Sequence, residues 1–156
     1  MKIEIGQQAP DFTLYDTNKS LVTLSELKEQ KILLLFFPLA FTSVCTAELC
    51  SVRDNISFYN NSNAKVIGIS VDSFYTLAKF KENQQLNFTL LSDFNKEVSK
   101  IYGSLYEMFA YNMKGVSKRS AFIIDKEGIV RYTEVLENAG TQPDFNKIQG
   151  ILYNLS

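Results

Sequence analysis

Apolar and polar positions alternate along this chain in a pattern that predicts strands and helices in turn. Two nearly unbroken apolar runs, residues 31–37 and 65–71, are typical of strands buried on both faces of a parallel sheet. The pattern predicts further strands at residues 12–15, 21–23, 87–91, 120–124 and 129–136, the last two joined by a turn at 125–128. It predicts helices at residues 25–30, with Ser25 as the N-cap, and at 43–60, 73–83, 95–102 and 144–155, and an irregular connection at 103–117.

This order of elements predicts the α/β class and a thioredoxin-like fold, with a mixed central sheet flanked by helices. The strand–helix–strand part is expected to be parallel and right-handed, and the late hairpin adds antiparallel strands. A length of 156 residues suits one domain, so we expect residues 1–156 to form a single unit.

Composition excludes several kinds of chemistry. The chain has no histidine, which removes Ser-His and Cys-His catalytic pairs and every histidine-containing metal site. Its two cysteines are too few for a four-thiolate zinc site, and its seven glycines form no nucleotide-binding loop. We therefore expect no metal and no cofactor, and the chemistry must use cysteine, carboxylates, arginine, lysine, tyrosine or hydroxyl groups.

Charge and hydropathy limit the partners. Sixteen basic and seventeen acidic residues give a net charge of −1, which argues against binding to nucleic acid. The longest apolar run, residues 32–41, is about half as long as a membrane-spanning helix, so we expect no membrane insertion. The first residues contain no apolar leader, and together with only two cysteines this predicts a reducing, cytoplasmic location.

The segment from Pro38 to Cys45 carries the most specific chemistry. Pro38 ends the buried strand because it has no N–H to donate, and Thr42 and Ser43 are candidate helix N-caps. Cys45 then falls in the first helical turn, where free backbone N–H groups and the helix dipole favour a negative charge. Because the thiolate is the reactive form of cysteine, this position favours a nucleophile, and an inert core thiol is the alternative.

Helical periodicity separates the two cysteines. One stripe of the helix, which is expected to pack on the sheet, contains Cys45, Leu49, Val52, Ile56 and Tyr59. Cys50 lies about 140° away, on a polar and exposed face. An intact helix separates the cysteines by about 7.5 Å in rise alone, whereas bridged Cα atoms lie about 4.4–6.8 Å apart. A Cys45–Cys50 disulfide would therefore require the start of the helix to unwind, and a chance surface cysteine is the alternative for Cys50.

Four segments resemble the peroxiredoxin family over nearly the whole chain. PLAFTSVC at residues 38–45 resembles the family signature P-x-x-x-[TS]-x-x-C. GQQAPDF at 6–12, VIGISVD at 66–72 and RSAFIIDKEG at 119–128 are similar to the family's entry segment, the strand after its active-site helix and a later strand and turn.

The resemblance implies roles for particular residues. Cys45 is implied as the peroxidatic cysteine that becomes a sulfenic acid, Thr42 as its hydrogen-bonding neighbour and Pro38 as a shield against bulk water. Arg119 is implied as the cation that stabilises the thiolate and holds the peroxide oxygens. Glu48 is implied as a carboxylate that orients this site.

Two further implications concern support and recycling. Arg131 is a candidate for secondary support, with an exposed strand residue as the alternative. Cys50 matches the resolving position of the bacterioferritin-comigratory or Q-type branch, whereas FFPLAFT at residues 36–42 is similar to the alkyl hydroperoxide reductase E branch. The partners implied are a peroxide substrate and thioredoxin or a similar dithiol, with the chain acting as a monomer or a homodimer.

Two alternatives to a two-cysteine peroxidase stay open at this point. One is a one-cysteine peroxidase that a small thiol recycles, with Cys50 incidental. The other is a non-catalytic redox-sensing module on a thioredoxin-like scaffold. The absence of a C-x-x-C motif disfavours a thioredoxin-type oxidoreductase.

Overall fold

An interior strand of the sheet is β3 (Lys31–Phe36), and every one of its residues is buried. In the computed structural model, which describes residues 2–27 and 29–155, this strand lies between two others of a seven-stranded sheet. A continuous apolar run suits this place because both faces of the strand are covered.

The sheet has the order β2-β1-β5-β4-β3-β8-β9. Its strands are β1 (Thr13–Asp16), β2 (Leu21–Thr23), β3, β4 (Ala64–Ser70), β5 (Thr89–Ser92), β8 (Ser120–Ile124) and β9 (Val130–Val135). Strands β3, β4 and β5 are parallel, whereas β1, β2, β8 and β9 pair antiparallel with their neighbours. The predicted mixed sheet is therefore confirmed.

Successive side chains of β3 enter two different cores because they point to opposite faces of the sheet. Leu33 and Leu35 pack with helices α1 (Ser43–Asp54), α2 (Ile56–Asn61), α3 (Phe74–Gln84) and α5 (Phe145–Asn154). Leu34 and Phe36 pack on the other face with α4 (Glu97–Ile101) and the N-terminal segment. This covering of both faces is the α/β architecture that the sequence predicts.

Two predicted elements differ from the observed ones in their internal structure. The helix expected at 43–60 breaks at Asn55, whose φ and ψ of −112° and 17° separate α1 from α2. The connection expected at 103–117 contains a small hairpin, β6 (Leu105–Tyr106) and β7 (Val116–Ser117), and a short 3-10 helix at Ala110–Asn112.

Ser25 is not a helix N-cap, so that prediction is wrong. A 3-10 helix spans Leu24–Glu26 and has Thr23 in the cap position. The Ser25 backbone N–H and hydroxyl instead donate to the two carboxylate oxygens of Asp11, each at 2.8 Å. Lys28, in the remainder of the predicted helix, lies outside the described residues.

None of the helices within residues 2–27 and 29–155 combines the length and the apolar character that crossing a bilayer requires.

Candidate active site

The loop between β3 and α1 presents the reactive segment at one edge of the sheet. Buried Pro38 follows the strand, and Phe41 adopts a left-handed conformation with φ of 68°. Such a backbone is unfavourable for a bulky residue, so surrounding contacts must hold it. The Ala40 N–H donates to Asp72 Oδ2 at 2.8 Å, and the Thr42 hydroxyl donates to the Leu39 carbonyl at 2.7 Å.

Thr42 is the N-cap residue of α1, but its hydroxyl does not cap the helix. Its backbone carbonyl accepts a bond from the Thr46 N–H at 2.9 Å, which begins the helical ladder. Since the hydroxyl proton is donated to Leu39, the hydroxyl oxygen retains lone pairs that can accept a hydrogen bond. The structure thus places Thr42, exposed, at the helix start without assigning it a bond to Cys45.

Cys45 lies in the first turn of α1 and is fully buried. Leu49, Val52 and Tyr59 are also buried against the sheet, as the predicted stripe requires, and Ile56 is partly buried. The stripe therefore correctly predicts which side of the helix the sulfur occupies.

Strand pairing brings Arg119 to this sulfur although 74 residues separate them. Ser120 at the start of β8 pairs with Phe36 at the end of β3, so Arg119 emerges beside the point where α1 begins. Its Nη2 donates to Cys45 Sγ at 3.3 Å, and its side chain is only 2% exposed. The guanidinium thus brings a positive charge and a hydrogen-bond donor to the sulfur.

Glu48 completes a buried triad with these two side chains. It lies three residues after Cys45 on the same side of α1, and its Oε1 accepts a bond from Arg119 Nη1 at 2.6 Å. Arg119 Nε donates to the Ala139 carbonyl at 3.0 Å. All three nitrogens of the guanidinium are thus bonded, which fixes the plane of the group beside the sulfur.

Burial and charge oppose one another in this triad. Burial raises the pKa of Glu48 to about 7, although Arg119 acts in the opposite direction. Burial alone would lower the pKa of Arg119, but the charges of Cys45 and Glu48 and hydrogen bonds to both raise it above its ordinary value. Among the described residues, Glu48 Oε2 is the buried side-chain oxygen that lacks a hydrogen-bond partner, which makes ionised Glu48 costly.

Cys50 is less exposed than its helical phase predicts. It is half-buried, it packs partly against the core, and its Sγ donates to Gln84 Oε1 on α3 at 3.5 Å. The prediction of an exposed thiol is therefore wrong in degree, because Gln84 at the end of α3 contacts Cys50 and the core takes up part of its surface. Both cysteines are free thiols in this conformation.

Arg131 lies outside this site, so it is the exposed strand residue that the sequence offered as the alternative to secondary support. Its Nε donates to Asp125 Oδ2 at 2.6 Å. Asp125 follows β8, whereas Arg119 precedes it, so Arg131 on β9 reaches the end of β8 that lies away from Arg119.

Sequence reasoning missed several groups that hold the site. They are the Ala139 carbonyl on Arg119, the Asp72 carboxylate on the Ala40 N–H, and the Gln84 amide on Cys50. A backbone carbonyl has no sequence signal. Asp72, however, comes two residues after β4, a buried strand that is parallel to β3, so its place at the same sheet edge could have been inferred.

Within residues 2–27 and 29–155, no cluster of three or more His, Cys, Asp or Glu side chains could hold a metal ion.

Comparisons with known proteins agree on one family. A profile described as the AhpC/TSA family matches residues 5–133. Peroxiredoxin bcp of Coxiella burnetii is 39% identical over 132 residues, which cover 83% of this chain and 87% of the relative. Alkyl hydroperoxide reductase E of Mycobacterium tuberculosis is 38% identical over 136 residues, which cover 85% of this chain and 86% of the relative. The crystal structure of the peroxidoxin BcpB of Mycobacterium tuberculosis superposes with a TM-score of 0.84 at 28% identity and 96% coverage of both chains.

A thioredoxin-like fold with a buried, arginine-bonded cysteine at a helix start defines the class of thiol-dependent peroxidases. With the profile and the relatives in agreement, the chain belongs to the AhpC/TSA family. The resemblance to peroxiredoxins is thereby confirmed, as is an enzymatic activity of the thiol peroxidase kind.

Proposed function

We propose that Cys45 is the peroxidatic cysteine and that it reduces hydrogen peroxide or an organic hydroperoxide. The thiolate attacks one peroxide oxygen, an S–O bond forms as the O–O bond breaks, and water or an alcohol leaves after taking up a proton. Cys45 is thereby oxidised to a sulfenic acid. The observation that carries this proposal is the 3.3 Å bond from Arg119 Nη2 to a fully buried sulfur.

Arg119 acts in two ways in this step. Before the reaction its charge stabilises the thiolate, and during the reaction it offers a donor to the peroxide oxygens as negative charge moves toward the leaving group. Glu48 and the Ala139 carbonyl orient the guanidinium by their bonds at 2.6 and 3.0 Å. The Thr42 hydroxyl oxygen accepts a hydrogen bond from the peroxide, and Pro38 keeps bulk water from the sulfur.

We further propose that Cys50 resolves the sulfenic acid. Its thiol attacks Cys45, the S–O bond breaks, and an intramolecular disulfide forms with release of water. Thioredoxin or a similar dithiol then returns both cysteines to thiols. We place the protein in a reducing compartment such as the cytoplasm, since the chain contains only two cysteines.

The assembly proposed is a single peroxiredoxin domain over residues 1–156 that works as a monomer or a homodimer. The two cores contain residues from Ile3 to Leu152, and the family profile covers residues 5–133.

A pair of cysteine variants tests these roles. Cys45→Ser is expected to abolish peroxide consumption, because the nucleophile is lost. Cys50→Ser is expected to complete one turnover and to accumulate a sulfenic acid that dimedone traps, measured by intact mass. Full thioredoxin-driven cycling by Cys50→Ser would remove Cys50 from the mechanism, and cycling with a small thiol alone would establish the one-cysteine route. Peroxide oxidation without any steady-state turnover would instead identify a sensor.

A further inference from the structure

Gln84, the last residue of α3, contacts the end of α1 in two places. Its side-chain Oε1 accepts a hydrogen bond from Cys50 Sγ at 3.5 Å. Its backbone carbonyl accepts a bond from Arg53 Nη1 at 2.6 Å. The first contact involves a weak thiol donor at long distance, whereas the second is short and charge-assisted, so the two differ in strength. Gln84 therefore binds the Cys50 thiol weakly and Arg53, one turn further along α1, strongly.

The same face of α3 also holds the other side of the reactive segment. Phe80 lies four residues before Gln84, so both project from one side of the helix. The Phe80 ring packs edge-on against Phe41, with centroids 5.1 Å apart. Phe41 is the residue with a left-handed backbone at φ of 68°. Helix α3 thus contacts residues 41 and 50, which lie before and after Cys45.

The proposed resolution step cannot occur while these contacts persist. Along an intact helix Cys45 and Cys50 are separated by about 7.5 Å in rise, so the turns between them must unwind before the sulfurs meet. The condensation joins the Cys50 sulfur to the Cys45 sulfur, breaks the S–O bond and releases water that carries the Cys50 proton. Cys50 must give up its bond to Gln84 for this, because the same S–H supplies that proton.

The short bond between Arg53 and the Gln84 carbonyl determines where unwinding of α1 ends. Arg53 remains attached to the Gln84 carbonyl, and the Asn87 side-chain amide donates to the Arg53 carbonyl at 3.2 Å. The part of α1 after Cys50 is therefore held by two bonds that do not involve the thiol, one to the last residue of α3 and one to Asn87 in the segment that follows it. Unwinding from the helix start through Cys50 leaves this end in place.

We propose that Gln84 is a positioning residue that retains Cys50 in the helical conformation and thereby slows formation of the Cys45–Cys50 disulfide. This inference rests on the proposed resolving role of Cys50. Its consequence is a longer-lived sulfenic acid, which a second peroxide molecule converts to sulfinic acid at high peroxide concentration. Gln84 then sets how the enzyme divides between recycling and overoxidation.

The test measures the two chemical steps separately in the full-length protein. Reduced enzyme is mixed with one equivalent of hydrogen peroxide, quenched with acid and an alkylating agent at successive times, and analysed by intact mass. Gln84→Ala is expected to form the disulfide about two- to fivefold faster, in keeping with the loss of one weak hydrogen bond. Oxidation of Cys45 is expected to keep its rate, because Arg119 and Glu48 are untouched.

Three further variants separate positioning from a general loosening of α3. Gln84→Glu keeps an acceptor and is expected to form the disulfide no faster than the wild type. Gln84→Asn withdraws the acceptor by one methylene and is expected to behave like Gln84→Ala, which covers a failure of the alanine variant to fold. Asn83→Ala, at the exposed preceding position, is expected to change neither step.

The outcomes distinguish this inference from the function on which it rests. A wild-type enzyme that forms no Cys45–Cys50 disulfide would refute both. Disulfide formation in the wild type with an unchanged or slower rate in Gln84→Ala would refute only the role of Gln84. A matching acceleration in Asn83→Ala would show that looser packing of α3, rather than the thiol contact, is responsible. Lower yields of sulfinic acid in Gln84→Ala at millimolar peroxide would support the proposal.

Discussion

Replacement of Arg119 by methionine is expected to slow the reaction of Cys45 with hydrogen peroxide by about 10²–10³-fold, the usual effect of removing one preorganised donor. The structure supports this size. At the observed 3.3 Å between Nη2 and Sγ, Coulomb's law with an effective dielectric constant of about 20 gives about 5 kcal/mol. Part of that attraction is offset because burial of the guanidinium is costly and Glu48 shares its charge, which leaves about 3–4 kcal/mol.

The same substitution is expected to destabilise the fold, and the two effects must be separated. Loss of one partner from a buried ion pair costs about 3–5 kcal/mol when the other stays charged. Because burial already raises the pKa of Glu48 to about 7, this carboxyl can take up a proton, and we expect the lower end of that range. The double variant Arg119→Met with Glu48→Gln removes both charges and is expected to regain stability while staying slow.

Stopped-flow measurement of the peroxide reaction, with urea unfolding on the same samples, tests this reasoning. Arg131→Met is the matched control, since this arginine is ion-paired with Asp125 at the other end of β8 and is expected to leave the rate unchanged. A rate for Arg119→Met within fivefold of the wild type would refute the assigned role of the guanidinium. Equal slowing by Arg131→Met would show that the rate depends on the net charge of the protein and not on the position of Arg119.

Three other predictions concern stability and the loop. Because the pKa of Glu48 is raised from 4.5 to about 7, the folded protein retains a proton that the unfolded chain releases. The free energy of unfolding should therefore fall as pH rises between these values, by about 3 kcal/mol at most. Urea unfolding at pH 5 and 8 should show this fall in the wild type and much less of it in Glu48→Gln. Asp72→Ala removes the acceptor of the Ala40 N–H and should slow the peroxide reaction about tenfold, the effect of about one hydrogen bond, whereas an unchanged rate would mean that the loop holds its shape without it. Gly68→Ala places a Cβ 2.7 Å from Leu90 Cδ2 and should lower the free energy of unfolding by about 1–3 kcal/mol, and equal stability would mean that Leu90 moves freely.

Local patterns predicted much of the scaffold because they depend on near neighbours in the chain. The apolar run at residues 31–37 indicated a strand covered on both faces, and β3 is buried throughout. The proline, the hydroxyl pair and the helical period placed Cys45 in the first turn of a helix, on the side facing the sheet. The break at Asn55 was missed because no proline or glycine marks it.

Contacts between distant segments could not be derived in the same way. The motif resemblance implied that Arg119 serves Cys45, yet only the pairing of Ser120 with Phe36 explains how residues 74 positions apart come to lie 3.3 Å apart. Glu48 is likewise completely buried, and its ion pair with Arg119 joins segments 71 residues apart in the chain.

Cys50 shows most clearly the difference between what the sequence determines and what tertiary packing determines. Its offset from Cys45 is a property of the sequence, and from it follows the need for α1 to unwind before a disulfide can form. Helical period alone placed this thiol on an exposed face, but the thiol is half-buried and the end of α3 provides Gln84 as an acceptor. The sequence by itself determined the strands, the helix and the reactive thiol, because periodicity decides which side of an element is apolar. Only the tertiary structure decided which side chains meet that thiol and its partner, because packing of distant elements chooses the neighbours on each face.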